Sequence, residues 1–417
     1  MVQDMGTGTY VKNRKYASPR RREKATAPTR SFDIPLILVV VALLVFGLVM
    51  LYSASWDFSL AAFGDPLKMF NRQVLWMALG IVSAFLLARF DYHHWRRLAL
   101  LVMTLTILLL VSLLLLSEIR FNAKRAFFDG SVQPSELAKL VSIIYLAVWM
   151  FSKRQNLQDI QLGLIPLGMI LGIVGGLIYL QPDLSAAGTV LILGGLLFFL
   201  AGGDLKQITL MLIAALIMGW LVVRVSPTGA ERVGDFLKGI KDPTQASYHV
   251  RRSFEAIVNG GVFGTGVGQG ATKLIGLPVP PTDSIFAVVA EELGLVGSVV
   301  LIGLYFTLVW RGMVIARRAP DMLGTLLASG LALWIGLEAL INMAVMVGLM
   351  PFAGNALPFI SAGGSNLVVS LAAIGILLNI SRQSGVTVEG NDWRSFGAVV
   401  DLRWRNRRRR VPRSRRS

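Results

Sequence analysis

Ten nearly unbroken apolar stretches run along the chain, near residues 34–52, 74–90, 98–116, 137–151, 162–180, 184–201, 208–223, 293–316, 322–350 and 359–380. A helix needs roughly 20 such residues to cross about 30 Å of hydrocarbon. The pattern therefore predicts an all-α polytopic membrane protein with about ten transmembrane helices. The fourth stretch is short and polar at its start, and the ninth is long enough to tilt or to hold a break. Between the seventh and eighth lies a connection over 224–285, about 60 residues and far beyond the usual loop length. It carries Gly260, Gly261, Gly264, Gly266, Gly268 and Gly270, then Leu277-Pro-Val-Pro-Pro-Thr-Asp283. That content points to tight backbone packing around short or re-entrant helices. No small-residue cleavage site follows the first apolar run, so it does not read as a removable signal.

Composition agrees. Of 417 residues, 54% are hydrophobic and only 16% are charged, with a mean hydropathy of +0.63; soluble chains sit nearer 45–50% and about 25%. Cysteine is absent, which excludes disulfides, thiolate metal sites and a thiol nucleophile. The net charge of +17 lies mostly at the ends: about +5 over residues 1–33 and about +8 over the arginine-rich stretch 382–417. Three regions follow: a basic tail (1–33), a membrane domain (34–381) and a second basic tail (382–417). Such tails suit anionic lipid rather than nucleic acid. Arg96 and Arg97, Lys153 and Arg154, Lys206, Arg311, Arg317 and Arg318 fall in alternate short loops, on the same side as both tails if there are ten spans. The excess of basic residues on cytoplasmic loops then places both termini in the cytoplasm and 224–285 outside.

Ionisable groups within spans cost about 2.5–3.5 kcal/mol on insertion scales and usually face a cavity or each other. Glu136 and Lys139 share a helical face in Gln133-Pro-Ser-Glu136-Leu-Ala-Lys139. Asp183 follows Gln181-Pro, Asp283, Glu291 and Glu292 precede the eighth span, Asn342 lies within the ninth, and Ser361-Ala-Gly-Gly-Ser365 opens the tenth. Each also has a plain structural role. Glu136–Lys139 fits an interhelical ion pair, Asp183 and Thr282-Asp283 fit helix caps, and Glu291 and Glu292 fit a membrane boundary. His93, His94 and His249 lack metal-ligand spacing. Walker, Gly-x-Ser-x-Gly, His-Glu-x-x-His and dinucleotide signatures are missing. What remains is a polar cavity at one face of a bundle, roofed by a long loop, which suits a transporter as well as an enzyme acting on a lipid-linked substrate.

The order of Gln133-Pro-Ser-Glu-Leu-Ala-Lys139, Gln181-Pro-Asp-Leu184, Thr282-Asp-Ser-Ile-Phe-Ala-Val-Val-Ala-Glu-Glu-Leu-Gly294 and Leu357-Pro-Phe-Ile-Ser-Ala-Gly-Gly-Ser365 narrows this. With Asp33, Tyr52-Ser-Ala-Ser55 and Asn342, the chain resembles the SEDS family (shape, elongation, division and sporulation), RodA/FtsW-like, from about Asp33 to Arg382. The resemblance implies a peptidoglycan glycosyltransferase of the bacterial cytoplasmic membrane that polymerises lipid II. It also implies a class B penicillin-binding protein and other elongation or division proteins as partners. By motif, Asp283 matches the acidic residue essential for polymerisation. Glu136, Lys139 and Asp183 match the polar residues of one cavity, and Arg232, Lys273 and Ser361 lie in the corresponding loops. The chain departs from the family pattern at Ala126, His249, Arg252, Pro281, Ser284, Ala290, Ala353 and Ala362.

The implied reaction joins a sugar 4-hydroxyl to an anomeric carbon bearing polyprenyl pyrophosphate. Asp283 is the expected general base of an inverting displacement. Arg232, Arg251, Arg252, Lys273 or a divalent cation (Mg or Mn) would offset the leaving-group charge; no residue pattern identifies a metal site. Two rival functions share these features: a lipid II flippase, and a non-catalytic scaffold that activates a penicillin-binding protein.

Overall fold

The computed structural model describes residues 32–116 and 133–384. Residues 1–31 and 385–417, nearly all of both tails, and Ala126 lie outside the described residues. Every regular element described is helical. In chain order these are α1 (Ile34–Phe63), α2 (Lys68–Arg89), α3 (Trp95–Leu116), α4 (Pro134–Ser152), α5 (Ile165–Tyr179), α6 (Leu184–Leu200) and α7 (Leu205–Val225). Then come α8 (Pro227–Lys241), α9 (Tyr248–Gly260), α10 (Ile285–Arg318), α11 (Met322–Met346) and α12 (Gly364–Gln383). Among the described residues nine helices are long and apolar enough to cross a membrane, and α6 is a shorter apolar one. These ten correspond to the ten predicted spans. The long connection folds into α8 and α9, both amphipathic and too short to span.

Local chemistry sets the ends. Asp33 caps α1, its carboxylate accepting from the Leu36 amide, with Pro35 in the first turn where no N–H is needed. Asp183, Asp204 and Asp321 cap α6, α7 and α11 in the same way. An apolar span gains nothing from amphipathicity in lipid, so burial, not periodicity, reveals the centre of the bundle. The most apolar windows of α4, α10, α11 and α12 are 67–72% buried, whereas that of α7 is 0% buried. α7 is thus the most peripheral span, and α10, α11, α12 and α4 form the core on which polar side chains converge.

Two differences from expectation matter. The eighth helix begins at Ile285 rather than near 293, and it breaks at Gly294, whose φ of 69° and ψ of −163° are not helical. Glu291 and Glu292 therefore do not mark a boundary; they are buried within α10. Amides and side chains of the long loop, with Ser53 of α1, supply their partners. Glu291 Oε1 accepts from the Ala271 and Thr272 amides (3.1 and 3.0 Å) and the Thr272 hydroxyl (2.7 Å). Glu292 accepts from the Ser53 hydroxyl (2.6 Å), the Gly268 amide (3.0 Å) and Lys273 Nζ (2.7 Å). The two carboxylates staple the glycine-rich segment to α10 and α1.

At the opposite end of the bundle, Asp33 pairs with Arg311 (2.5 Å), and its amide donates to the Ser381 hydroxyl (3.3 Å). Nearby, Asp321 binds Arg96 (2.9 Å) and the Tyr92 hydroxyl (2.9 Å). Arg96 and Arg311 thus lie with their acidic partners at one end, and the turn bearing Asp283 lies at the other.

Candidate active site

Asp283 is half-buried immediately before α10. Ser284, not Asp283, occupies the cap position, and its hydroxyl donates to Pro278 O (2.8 Å). The turn bearing Asp283 is held from two sides. Asn342 of α11 donates through Nδ2 to Asp283 O (3.0 Å) and Asn355 O (2.6 Å). Ser361 accepts from the Leu357 amide (2.8 Å) and donates to Thr282 O (2.6 Å), while the Ala362 amide donates to Pro281 O (2.7 Å). Pro281 and Ala362 both depart from the family pattern, yet the bond between them is made by backbone and does not depend on either side chain. The Asp283 carboxylate lies against Gly354: a Cβ there would stand 2.8 Å from Oδ2.

A second polar group lies at the head of α4. Lys139 Nζ donates to Glu136 (2.9 Å) and to Glu338 of α11. All three side chains are buried in the bundle, and the second Glu136 oxygen accepts from Asn366 Nδ2 of α12 (2.8 Å). Two carboxylates share one ammonium, so the cluster is more than an ordinary ion pair. Beside it, Asp183 caps α6 through the Ala186 amide (3.2 Å) and accepts from Gln133 Nε2 (2.8 Å) and Ser135 Oγ (2.9 Å). The cap role and a place in the polar cluster are both realised.

The Ser361–Asn366 segment joins these groups. Ser361 and Ala362 hold the Asp283 turn, while five residues' length of chain brings Ser365 to the Gln133 amide (3.2 Å) and Asn366 to Glu136. From α2, Gln73 buttresses the same segment, donating to Ser361 O (3.2 Å) and accepting from the Gly363 amide (3.3 Å).

The basic residues divide. Arg232 of α8 lies 5.7 Å over the Phe352 ring, two residues from the glycine that abuts Asp283. His249 of α9 stacks on Phe352 (4.2 Å). Burial first, and then the Arg232 guanidinium, hold the His249 imidazole below its ordinary 6.5, so the ring is neutral at pH 7. Arg252 is paired with Glu255 (2.5 Å), and Arg251 reaches Thr244 O (3.5 Å). Lys273 lies in a different place, buried against Glu292 and Ser53 at the α1–α10 junction. Glu338, Ser53 and Gly354 were not candidates from sequence. Glu338 carried a signal, being the one charged residue of α11. Ser53 lies in Tyr52-Ser-Ala-Ser55, where nothing marks it as a partner of Glu292, and Gly354 carried no signal. Among the described residues no group of three or more histidine, cysteine or acidic side chains could hold a metal ion.

The model of the cell cycle protein family that groups FtsW, RodA and SpoVE matches residues 34–385. A probable peptidoglycan glycosyltransferase FtsW of Trichlorobacter lovleyi is 40% identical over 356 residues, covering 84% of this chain and 93% of the relative. Stage V sporulation protein E of Bacillus subtilis is 35% identical over 369 residues, covering 87% and 99%. Among solved structures, a chain from a peptidoglycan synthase complex that coordinates polymerization and crosslinking superposes with a TM-score of 0.69 at 28% identity, covering 85% of this chain and 98% of that one. The rod shape determining protein RodA of Thermus thermophilus superposes with a TM-score of 0.62 at 27% identity, covering 84% and 97%.

Proposed function

The chain belongs to the FtsW, RodA and SpoVE family of cell cycle proteins, and from that premise we propose a peptidoglycan glycosyltransferase that polymerises lipid II, with Asp283 as general base. The observation that carries the role of Asp283 is its seat: half-exposed, ahead of a buried helix, with its backbone gripped by Asn342 and Ser361 and its carboxylate against Gly354. A reacting proton needs an acceptor at a fixed place, and this turn is fixed by α11 and by the segment leading into α12.

In the step itself, the acceptor 4-hydroxyl oxygen bonds to the donor anomeric carbon as Asp283 takes the hydroxyl proton. The bond from that carbon to the pyrophosphate oxygen breaks, the pyrophosphate leaves with the bonding pair, and the anomeric centre inverts. Arg232 is the basic side chain best placed to face the leaving group, because Phe352 links it to the Asp283 site. Lys273 is committed to Glu292 in this structure and contributes by holding the loop. A divalent cation such as Mg or Mn would be held by one or two carboxylates together with the substrate pyrophosphate; Asp283 is the carboxylate at this site that would hold it, and the ion would offset the leaving-group charge.

The reading extends to place and partners. Positive loops put the basic end of the bundle, with both termini, in the cytoplasm and Asp283 at the outer face of the cytoplasmic membrane. A class B penicillin-binding protein is the proposed transpeptidase partner, in keeping with the synthase complex that contains a chain of this shape.

One observation favours a second reading. The buried Glu136–Lys139–Glu338 cluster is a polar feature within the spans that a lipid II head-group pathway would also use. Labelled lipid II supplied to the purified protein, alone and with its penicillin-binding partner, separates the readings. Glycan chains are expected, and Asp283→Asn should slow their formation about 10²–10⁴-fold. Chains made at the parental rate by Asp283→Asn would remove the base assignment. Translocation without chains would indicate a flippase, and neither product would leave the scaffold.

A further inference from the structure

Two polar junctions bracket the bundle along α1 and α10. At the basic end Asp33 pairs with Arg311; at the other, Ser53 meets Glu292 and Lys273. About 20 residues of α1 separate Asp33 from Ser53, which is about 30 Å at 1.5 Å per residue, one hydrocarbon thickness. The path from Glu292 to Arg311 along α10 is about 28 Å by the same rise. The bilayer core therefore lies between the two junctions.

The break in α10 at Gly294 falls just inside that outer junction. Breaking a helix there frees the carbonyls of Glu291 and Glu292 and the amides of Leu295 and Val296, and such groups cannot stay unpaired at membrane depth. The chain leaving α9 satisfies all four. Leu295 N donates to Gly261 O (3.0 Å) and Val296 N to Val262 O (3.1 Å), while Thr265 N and Gly266 N donate to Glu291 O and Glu292 O (3.0 Å each). Residues 261–266 thus run against α10 across its break. Gly264 and Gly294 make this approach possible, since a Cβ on Gly294 would collide with the backbone of Gly264.

The outward side of this segment is apolar. Phe263 is 84% exposed and Val262 54%, continuing the exposed α10 face of Leu295 (59%), Val296 (49%) and Val299 (57%). We propose that the Val262–Phe263 turn is a membrane wedge, seated among the acyl chains of the leaflet nearest Asp283. It fixes the depth of the loop that Glu291 and Glu292 hold, and hence the level of the Asp283 turn relative to the lipid surface. The occupant is lipid because the wedge lies on the hydrocarbon side of the Ser53–Glu292 junction and is continuous with a face of α10 that must contact acyl chains.

The absence of cysteine makes the test direct. A nitroxide is attached to Phe263→Cys in the full-length chain, reconstituted in phosphatidylglycerol–phosphatidylethanolamine nanodiscs. Its collision rates with oxygen and with a water-soluble nickel chelate are compared with those at Val299→Cys, on the exposed α10 face, and Lys241→Cys, at the exposed end of α8. The expected result is an oxygen-to-nickel ratio shifted from the Lys241 value to the Val299 value. Val262→Cys provides the same reading if Phe263→Cys does not fold. A ratio equal to that at Lys241 would overturn the wedge. So would protection from both reagents in a dimeric sample, which would mean that a second copy covers the turn. Neither result bears on whether lipid II is polymerised, so failure here is separate from failure of the proposed activity.

Discussion

At Gly354 a hydrogen stands where any other residue would place a β-carbon 2.8 Å from the Asp283 carboxylate. Displacing a reacting group by about 1 Å costs up to about 10²-fold. Gly354→Ala should therefore lower kcat on lipid II about 10–100-fold, with KM and melting temperature close to parental; steady-state kinetics on the purified variant check this. An equal fall in kcat and stability would instead mark Gly354 as structural. Residues of this kind were invisible in the sequence because their role is the room they leave. The charged members were visible: Asp283, Glu136, Lys139 and Asp183 stand out where apolar residues are expected. Glu338 was not a candidate although it is the one charged residue of α11; with no charged partner three or four residues away on its own helix, its pairing with Lys139 emerges only from the packing of α4 on α11.

At the scale of elements, α10 shows how a carboxylate can mislead. Glu291 and Glu292 suggested the edge of a span, and the helix extends through them because backbone amides of a distant loop meet their charges. Glycine content signalled that loop's tight packing, but no local pattern names Ser53, Ala271 or Thr272 as partners. The resulting junction is sensitive to truncation. Glu292→Ala leaves the Lys273 ammonium buried without its counter-charge, and breaking a buried pair from one side costs about 3–5 kcal/mol. Thermal unfolding in detergent should show a clear drop in melting temperature, which Lys273→Met in the same chain should partly restore. If Glu292→Ala melts with the parental protein, the loop is not held by this pair.

For the molecule as a whole, the number of spans was legible because hydrocarbon thickness imposes a length that an apolar run must meet. Even the shorter α6 emerged, flanked by Gln181-Pro-Asp183 and Gly202-Gly203. Which spans occupy the centre was not legible, since lipid and a protein core select the same side chains. Only burial distinguishes α11, enclosed by its neighbours, from α7, whose most apolar stretch has no buried residue. The convergence of motifs separated by up to about 230 residues, Gln133 with Ser365 and Glu136 with Asn366, likewise belongs to packing alone.

The hydrogen bond from the Asp33 amide to the Ser381 hydroxyl brings the start of α1 and the end of α12 together. Topologically the bundle is a ring with a single cut, and neighbouring termini are what let a chain be circularly permuted. Linking Phe32 to Ser384 and reopening the ring at Gly202-Gly203, the turn before Lys206, would leave every span with its original direction. Such a permutant should insert and elongate glycan like its parent, measured with the same labelled lipid II. A permutant that is inserted but inactive would show that order of synthesis, as well as final geometry, shapes this protein.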